Sequence, residues 1–175
     1  MRHLKMTAAC LAAGIAATSA ATAQAEGWGG LYLGGSASSY SAEPNFVAAE
    51  ASGTSLGLHG GMNFAIGPQF VVGGELNFSL SSHSLDTIPS NEFGNDLSLR
   101  LRVGFAADQF MAYGLVGPAG AVYSVGGVDL AATGMVKGLG VEYKFTPILS
   151  GRLEYTKTNY DSIEFAPPGP EFSPV

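Results

Sequence analysis

The run NDLSLRLRVGF, Asn95 to Phe105, decides the fold. Leu97, Leu99, Leu101, Val103 and Phe105 fall on one parity, and Asp96, Ser98, Arg100, Arg102 and Gly104 on the other. A period of two belongs to a strand with one apolar and one polar face. LGLHGGMNFAI repeats the pattern, with Leu56, Leu58, Met62, Phe64 and Ile66 opposed to Gly57, His59, Gly61, Asn63 and Ala65. FVVGGELNFSLS repeats it again, with Phe70, Val72, Leu76, Phe78 and Leu80 opposed to Val71, Gly73, Glu75, Asn77 and Ser79.

Seven segments carry the pattern or a weaker form of it: 28–41, 54–66, 70–81, 95–106, 110–124, 133–145 and 149–160. The first is rich in Gly and Ser and its parity is weak. The fifth is ambiguous and contains Pro118, which in a closed sheet removes a ladder bond and implies a bulge. The connections alternate in length. GPQ, ADQ and TPI are tight, whereas stretches such as AEPNFVAAEASG and SHSLDTIPSNEFG are long and polar. In an up-and-down sheet this sorts all tight turns to one end and all long loops to the other. A transmembrane barrel is built that way, with short periplasmic turns and longer external loops.

Parity alone does not say which face is inside. A soluble lipocalin-like barrel buries its apolar parity, and a membrane barrel turns it to lipid. Three features favour lipid. The polar parity holds Gly, Ser, Asn and isolated charges instead of the dense Lys and Glu of a solvated surface. Phe64, Phe70, Phe105, Phe110 and Phe145 border the tight turns, and Trp28 begins the first segment at the same end, as in an interfacial aromatic girdle. The third feature is charge balance on the polar parity: Glu75, Glu142 and Glu154 meet Arg100, Arg102 and Arg152, with Asp96 and Lys144 nearer the strand ends. A narrow barrel is filled by side chains, so these six are expected to form an interior charge network. Losing one partner of such a pair costs about 3–5 kcal/mol, because the survivor stays buried and unpaired. Glu154 and Arg152 are expected to share the interior with Arg100 or Arg102.

Composition bounds the rest. The chain has 175 residues, 46% hydrophobic and only 13% charged, against about 25% charged in a usual soluble domain. MRHLKMTAACLAAGIAATSAATAQAEGW begins with Arg2 and Lys5, continues through an alanine-rich apolar stretch and reaches Ala23-Gln24-Ala25, the small-x-small form of a leader-peptidase site. The expected organisation is a signal peptide over 1–25, a barrel over 26–160 and a proline-rich external tail over 161–175. Removing the leader takes two of the eight basic residues and none of the fourteen acidic ones, moving the formal net charge from −6 to −8. No basic patch remains, which argues against nucleic acid. Cys10, the sole cysteine, leaves with the leader, so disulfides and thiolate metal sites are excluded from the mature chain.

The phrases GWGGLYLGG and GLGVEYKFTPILSGRLEYTKTNY carry a family resemblance. Trp28, Gly30, Leu31, Tyr32 and Gly34 stand where one opening motif falls. Glu142-Tyr143 and Arg152-Leu153-Glu154-Tyr155 flank a turn. Together they resemble the porin-opacity type of outer-membrane surface protein, small OmpA-like barrels of α-proteobacteria. The resemblance implies an eight-stranded, all-β, up-and-down transmembrane barrel in a Gram-negative outer membrane, with a structural or surface-antigen role. It implies no catalytic residue, cofactor or metal. Such proteins end in a strand closing on an aromatic residue, which the barrel-insertion machinery recognises. Here Pro167, Pro168, Pro170 and Pro174 preclude a ladder strand in the tail, so seven strands are evident and the eighth is expected to be missing, as in a truncated copy. Closing without it would require a parallel seam.

Two other functions compete. A lipid A-modifying barrel enzyme of deacylase type needs a nucleophile and base at the lipid interface, for which His83 beside Ser82 and Ser84, or His59, are the thin candidates. A narrow pore is the other. The loops hold Glu43, Glu50, Asp86, Glu92 and Asp129 without a Lys or Arg, which suits bridging to lipopolysaccharide through divalent cations.

Overall fold

The computed structural model describes residues 6–18, 27–44, 51–85, 88–125 and 128–165. Eight strands close into one barrel: β1 (Met6–Thr18), β2 (Gly30–Pro44), β3 (Ala51–Ile66), β4 (Phe70–Leu85), β5 (Ile88–Ala107), β6 (Phe110–Val125), β7 (Val128–Thr146) and β8 (Leu149–Phe165). Every neighbouring pair is antiparallel, including the seam.

The eighth strand expected to be missing is present, and it lies at the start of the chain. Met6–Thr18 is β1, paired from Met6↔Pro44 to Thr18↔Tyr32 on one side and from Met6↔Tyr160 to Ala17↔Leu149 on the other. It runs opposite to both β2 and β8, so no parallel seam is needed. The ladder therefore starts well before residue 26 and extends past residue 160 to Phe165.

The long polar connections are also mostly ladder. Glu43, Glu92 and Asp129 lie within β2, β5 and β7, because continuing a hairpin beyond the lipid keeps its backbone groups paired. Glu50, Asp86 and the four tail prolines lie outside the described residues. The tight connections at 67–69 and 108–109 hold Gly67 at φ 69° and Asp108 at φ 51°, left-handed positions that Gly and Asp tolerate. Pro118 produces no bulge. The β5–β6 register is the same on both sides, Ser98↔Ala119 and Leu101↔Val116, and only the pairs between them lapse.

The apolar parity faces outward. Leu56, Leu58, Leu99, Leu101, Leu139 and Leu153 are exposed, Leu139 by 71%. The five phenylalanines beside the turns are exposed as well, with Phe70 and Phe105 packed edge to face at 5.7 Å. A continuous apolar wall of this extent marks a lipid-facing surface. Trp28 departs from the girdle expected for it. It is 6% exposed and packs with Val71, Ala106 and Met111 inside the tight-turn end of the barrel.

Candidate functional site

The lumen is built in layers from the inward parity of each strand. At the tight-turn end Trp28 closes it. The indole Nε1 donates to the carbonyl oxygen of Asp108 at 3.1 Å, and the Lys144 ammonium lies 4.3 Å from the ring centre. Val71, Ala106 and Met111 belong to the same buried cluster as the indole, so apart from the Lys144 ammonium this layer is apolar.

Above it the structure gathers all six residues of the expected charge network. Glu75, 1% exposed, is the hub. Its Oε2 lies 2.6 Å from Arg152 Nη1 and 3.5 Å from Arg102 Nη1, and its Oε1 lies 3.6 Å from Arg100 Nη1. Glu142 accepts from Arg102 Nη2 at 2.9 Å and from Ser150 Oγ at 2.6 Å. Glu154 accepts from Arg100 Nη1 at 2.8 Å and lies 3.8 Å from Arg152 Nη1. Glu154 thus shares the interior with both Arg100 and Arg152, while Arg102 serves Glu75 and Glu142. Pairing follows the lumen and not only the ladder. Glu142 and Arg152 are opposite in register, yet Arg152 sends Nη1 across to Glu75.

Two tyrosines complete this layer, and parity counting did not single them out as members. Tyr32 Oη donates to Glu75 Oε2 at 3.0 Å, and Tyr113 Oη donates to Glu154 Oε2 at 2.9 Å. The Arg102 guanidinium sits 3.9 Å from the Tyr113 ring centre and 5.4 Å from that of Tyr32, within cation–π range of both. Each ring lies across a glycine on the next strand, Tyr32 opposite Gly61 and Tyr113 opposite Gly140. A Cβ at Gly140 would sit 2.7 Å from Tyr113 Cε2, and one at Gly61 would sit 2.7 Å from Tyr32 Cζ. The signal available in sequence was an inward tyrosine facing an inward glycine, but it needs the register to be seen.

Gly140→Ala is therefore expected to lower stability by about 1–3 kcal/mol, since the ring it displaces is fixed by Glu154 and Arg102. Gly74→Ala, where an added Cβ meets nothing within 4 Å, is expected to be close to neutral. Urea midpoints of the two variants in lipid vesicles check the difference.

Towards the long-hairpin end the lumen opens into a cavity of about 100 Å³ lined by hydroxyls, among them Ser36, Ser38, Ser55 and Thr156, with Arg100 and Glu154 at its charged side. Tyr160 Oη donates to Asp96 Oδ2 at 3.0 Å there. The β6–β7 wall is apolar instead: Leu115, Ala119 and Val136 face inward and are buried. His59 is 2% exposed, faces the lumen and lies 6.5 Å from the Tyr32 ring centre. His83 pairs with Glu92 in the β4–β5 ladder, and its side chain, like those of Ser82 and Ser84, lies outside the described residues. Among the described residues no cluster of three or more His, Cys, Asp or Glu is arranged to hold a metal ion.

A comparison with curated proteins returns no match. The family model described as outer membrane protein beta-barrel domain matches residues 8–171. That span takes in all eight strands almost whole, with the lipid-facing wall and the charged lumen between them. The chain belongs to the outer-membrane β-barrel domain family.

Proposed function

We propose that the protein is a non-enzymatic, non-conducting barrel that serves the outer membrane as a structural or surface-displayed element, of the porin-opacity kind. The observation that carries this reading is the charge layer around Glu75, with three guanidinium groups on one buried carboxylate. Beneath it lies the seal of Trp28, Val71, Ala106 and Met111, with the Lys144 ammonium against the indole. An ion would have to break the first and dehydrate through the second. Eight strands leave an interior only wide enough for side chains. The apolar Met6–Ala23 stretch, preceded by the basic Arg2 and Lys5, directs export. The acidic residues of the long hairpins, Glu43, Glu92 and Asp129 among them, suit contact with lipopolysaccharide through divalent cations.

Planar-bilayer recording of the purified protein tests the reading. The expected trace has no stepwise conductance at either polarity, and stable channel openings would overturn it. The mass profile of lipid A from cells with and without the protein addresses the enzymatic alternative. An unchanged profile is expected, and loss of an acyl chain in the presence of the protein would replace this proposal with the deacylase.

A further inference from the structure

Six basic residues follow Ala25, and four of them, Arg100, Arg102, Lys144 and Arg152, turn into the lumen. The other two, Lys137 and Lys157, lie on the outward parity of β7 and β8. Both are exposed, and they stand directly opposite each other in the ladder. Val116 of β6 flanks Lys137 on its other side. Among the described side chains no carboxylate lies within ion-pair distance of either ammonium. Like charges placed directly across a ladder repel. Each ammonium on a lipid-facing wall also adds a cost that depends on its depth. An anion seated between the two lysines offsets both.

The height of the pair says which anion. About 26 Å of strand separates Lys137 from Phe145 at the tight-turn end, at about 3.3 Å per residue. A strand tilt of about 35–45° turns this into about 20 Å of height on an apolar band about 25 Å tall. The pair thus stands just inside the edge of the band away from the tight turns, and the lysine stems carry the ammonium groups the rest of the way to the headgroups. Below it the same two strands are apolar. Leu139 faces Tyr155 and Val141 faces Leu153, all four exposed. Beyond it the wall is mixed, with Met135 opposite Asn159. The apolar rows suit acyl chains, and the two ammonium groups above suit the head of the same molecule. A phosphate monoester carries about −1.5 to −2 charge at neutral pH, enough to neutralise both lysines. A zwitterionic phosphodiester lipid brings no net charge. We propose that Lys137 and Lys157 form a binding site for the phosphate monoester of an outer-leaflet lipid, whose acyl chains lie along Leu139, Val141, Leu153 and Tyr155. The site rests on the outer-membrane placement of the wall and is separate from the cation-bridged contact proposed for the acidic hairpins.

The test uses the protein recovered from outer membranes. It is equilibrated with detergent micelles that hold equal amounts of phosphatidic acid and phosphatidylcholine with the same acyl chains, in the presence of a chelator. Native mass spectrometry then counts the lipid it retains. Each lysine near an anionic headgroup contributes about fivefold in affinity, so the unaltered protein should prefer phosphatidic acid by roughly 20-fold. Lys137→Gln and Lys157→Gln should each lower the preference severalfold, and the two together should abolish it. Lys137→Arg with Lys157→Arg should keep most of it. Equal retention of the two lipids by the unaltered chain overturns the proposal, as does a preference that survives the double glutamine variant. Inorganic phosphate at millimolar concentration should leave the retained lipid in place. Its displacement would mean that the site takes free phosphate, and the lipid assignment would fall. The first comparison is made on the unaltered chain, so a variant that fails to fold does not remove the test. Because the chelator removes cation bridges, failure here is distinct from failure of the hairpin contacts, and bilayer recording reads the closed lumen independently.

Discussion

Glu75→Ala is expected to destabilise the barrel by about 3–5 kcal/mol, enough to move its urea midpoint well down in lipid vesicles and to abolish its folded band on unheated gels. The carboxylate faces Arg152 at 2.6 Å, Arg102 at 3.5 Å and Arg100 at 3.6 Å. Without it three guanidinium groups share the two remaining carboxylates of the layer, Glu142 and Glu154. One buried positive charge is left uncompensated, and the tyrosine hydroxyl of Tyr32 loses its acceptor. Glu75→Gln keeps the volume and one acceptor oxygen but not the charge, so most of the loss should persist. A midpoint within error of the unaltered protein for both variants would mean that the layer contributes little to stability.

The same layer predicts how the loss can be recovered. Removing both members of a buried pair is far less costly than removing one. Arg152 keeps Nε and Nη2 buried without a hydrogen-bond partner, so it already bears part of its desolvation cost unrelieved. A cycle comparing Glu75→Met, Arg152→Met and the double variant isolates the coupling. The double variant should be more stable than Glu75→Met alone, because it removes the unpaired charge along with its partner.

The inward side of the charge layer was legible because Glu and Arg sit on the polar parity of strands whose other parity is unmistakable. Which glutamate meets which arginine was not. Arg152 and Glu75 are 77 residues apart and on strands that do not pair, so their contact depends on how the barrel closes. The lumen wall of β6 and β7 hid for a different reason. Met111, Leu115 and Ala119 point inward although they are apolar, so the fifth segment lost its contrast between faces. The long connections read as loops in the sequence because polar residues on both parities look the same in a loop and in a hairpin standing clear of the lipid. β1 was hidden by overlap. Leader peptides need apolar and small residues in any order, and a seam strand needs them alternating. MTAACLAAGIAAT satisfies both. Trp28 looked like a girdle residue from its place in the chain. A single tryptophan before a strand does not reveal whether it turns towards lipid or under the lumen.

Leu99→Arg tests the outer wall at its most sensitive height. Leu99 is 57% exposed and opposite Leu76 in the β4–β5 ladder, well away from the phenylalanines at the turns. On a lipid-facing wall a guanidinium at the midplane costs about 2–4 kcal/mol, falling to about 0–1 near the interfaces. Ile66→Arg places the same charge beside the 67–69 turn, at a residue of nearly equal exposure, 58%. The two substitutions therefore differ in depth and hardly in local packing. If lipid surrounds the wall, Leu99→Arg should unfold at clearly lower urea than Ile66→Arg in vesicles, and the gap should shrink in detergent micelles, whose polar surface adapts to a buried charge. Equal and small effects at both positions would mean that water reaches the wall at mid-height. That outcome contradicts a membrane-spanning barrel, because the exposed leucines would then have no apolar solvent to face.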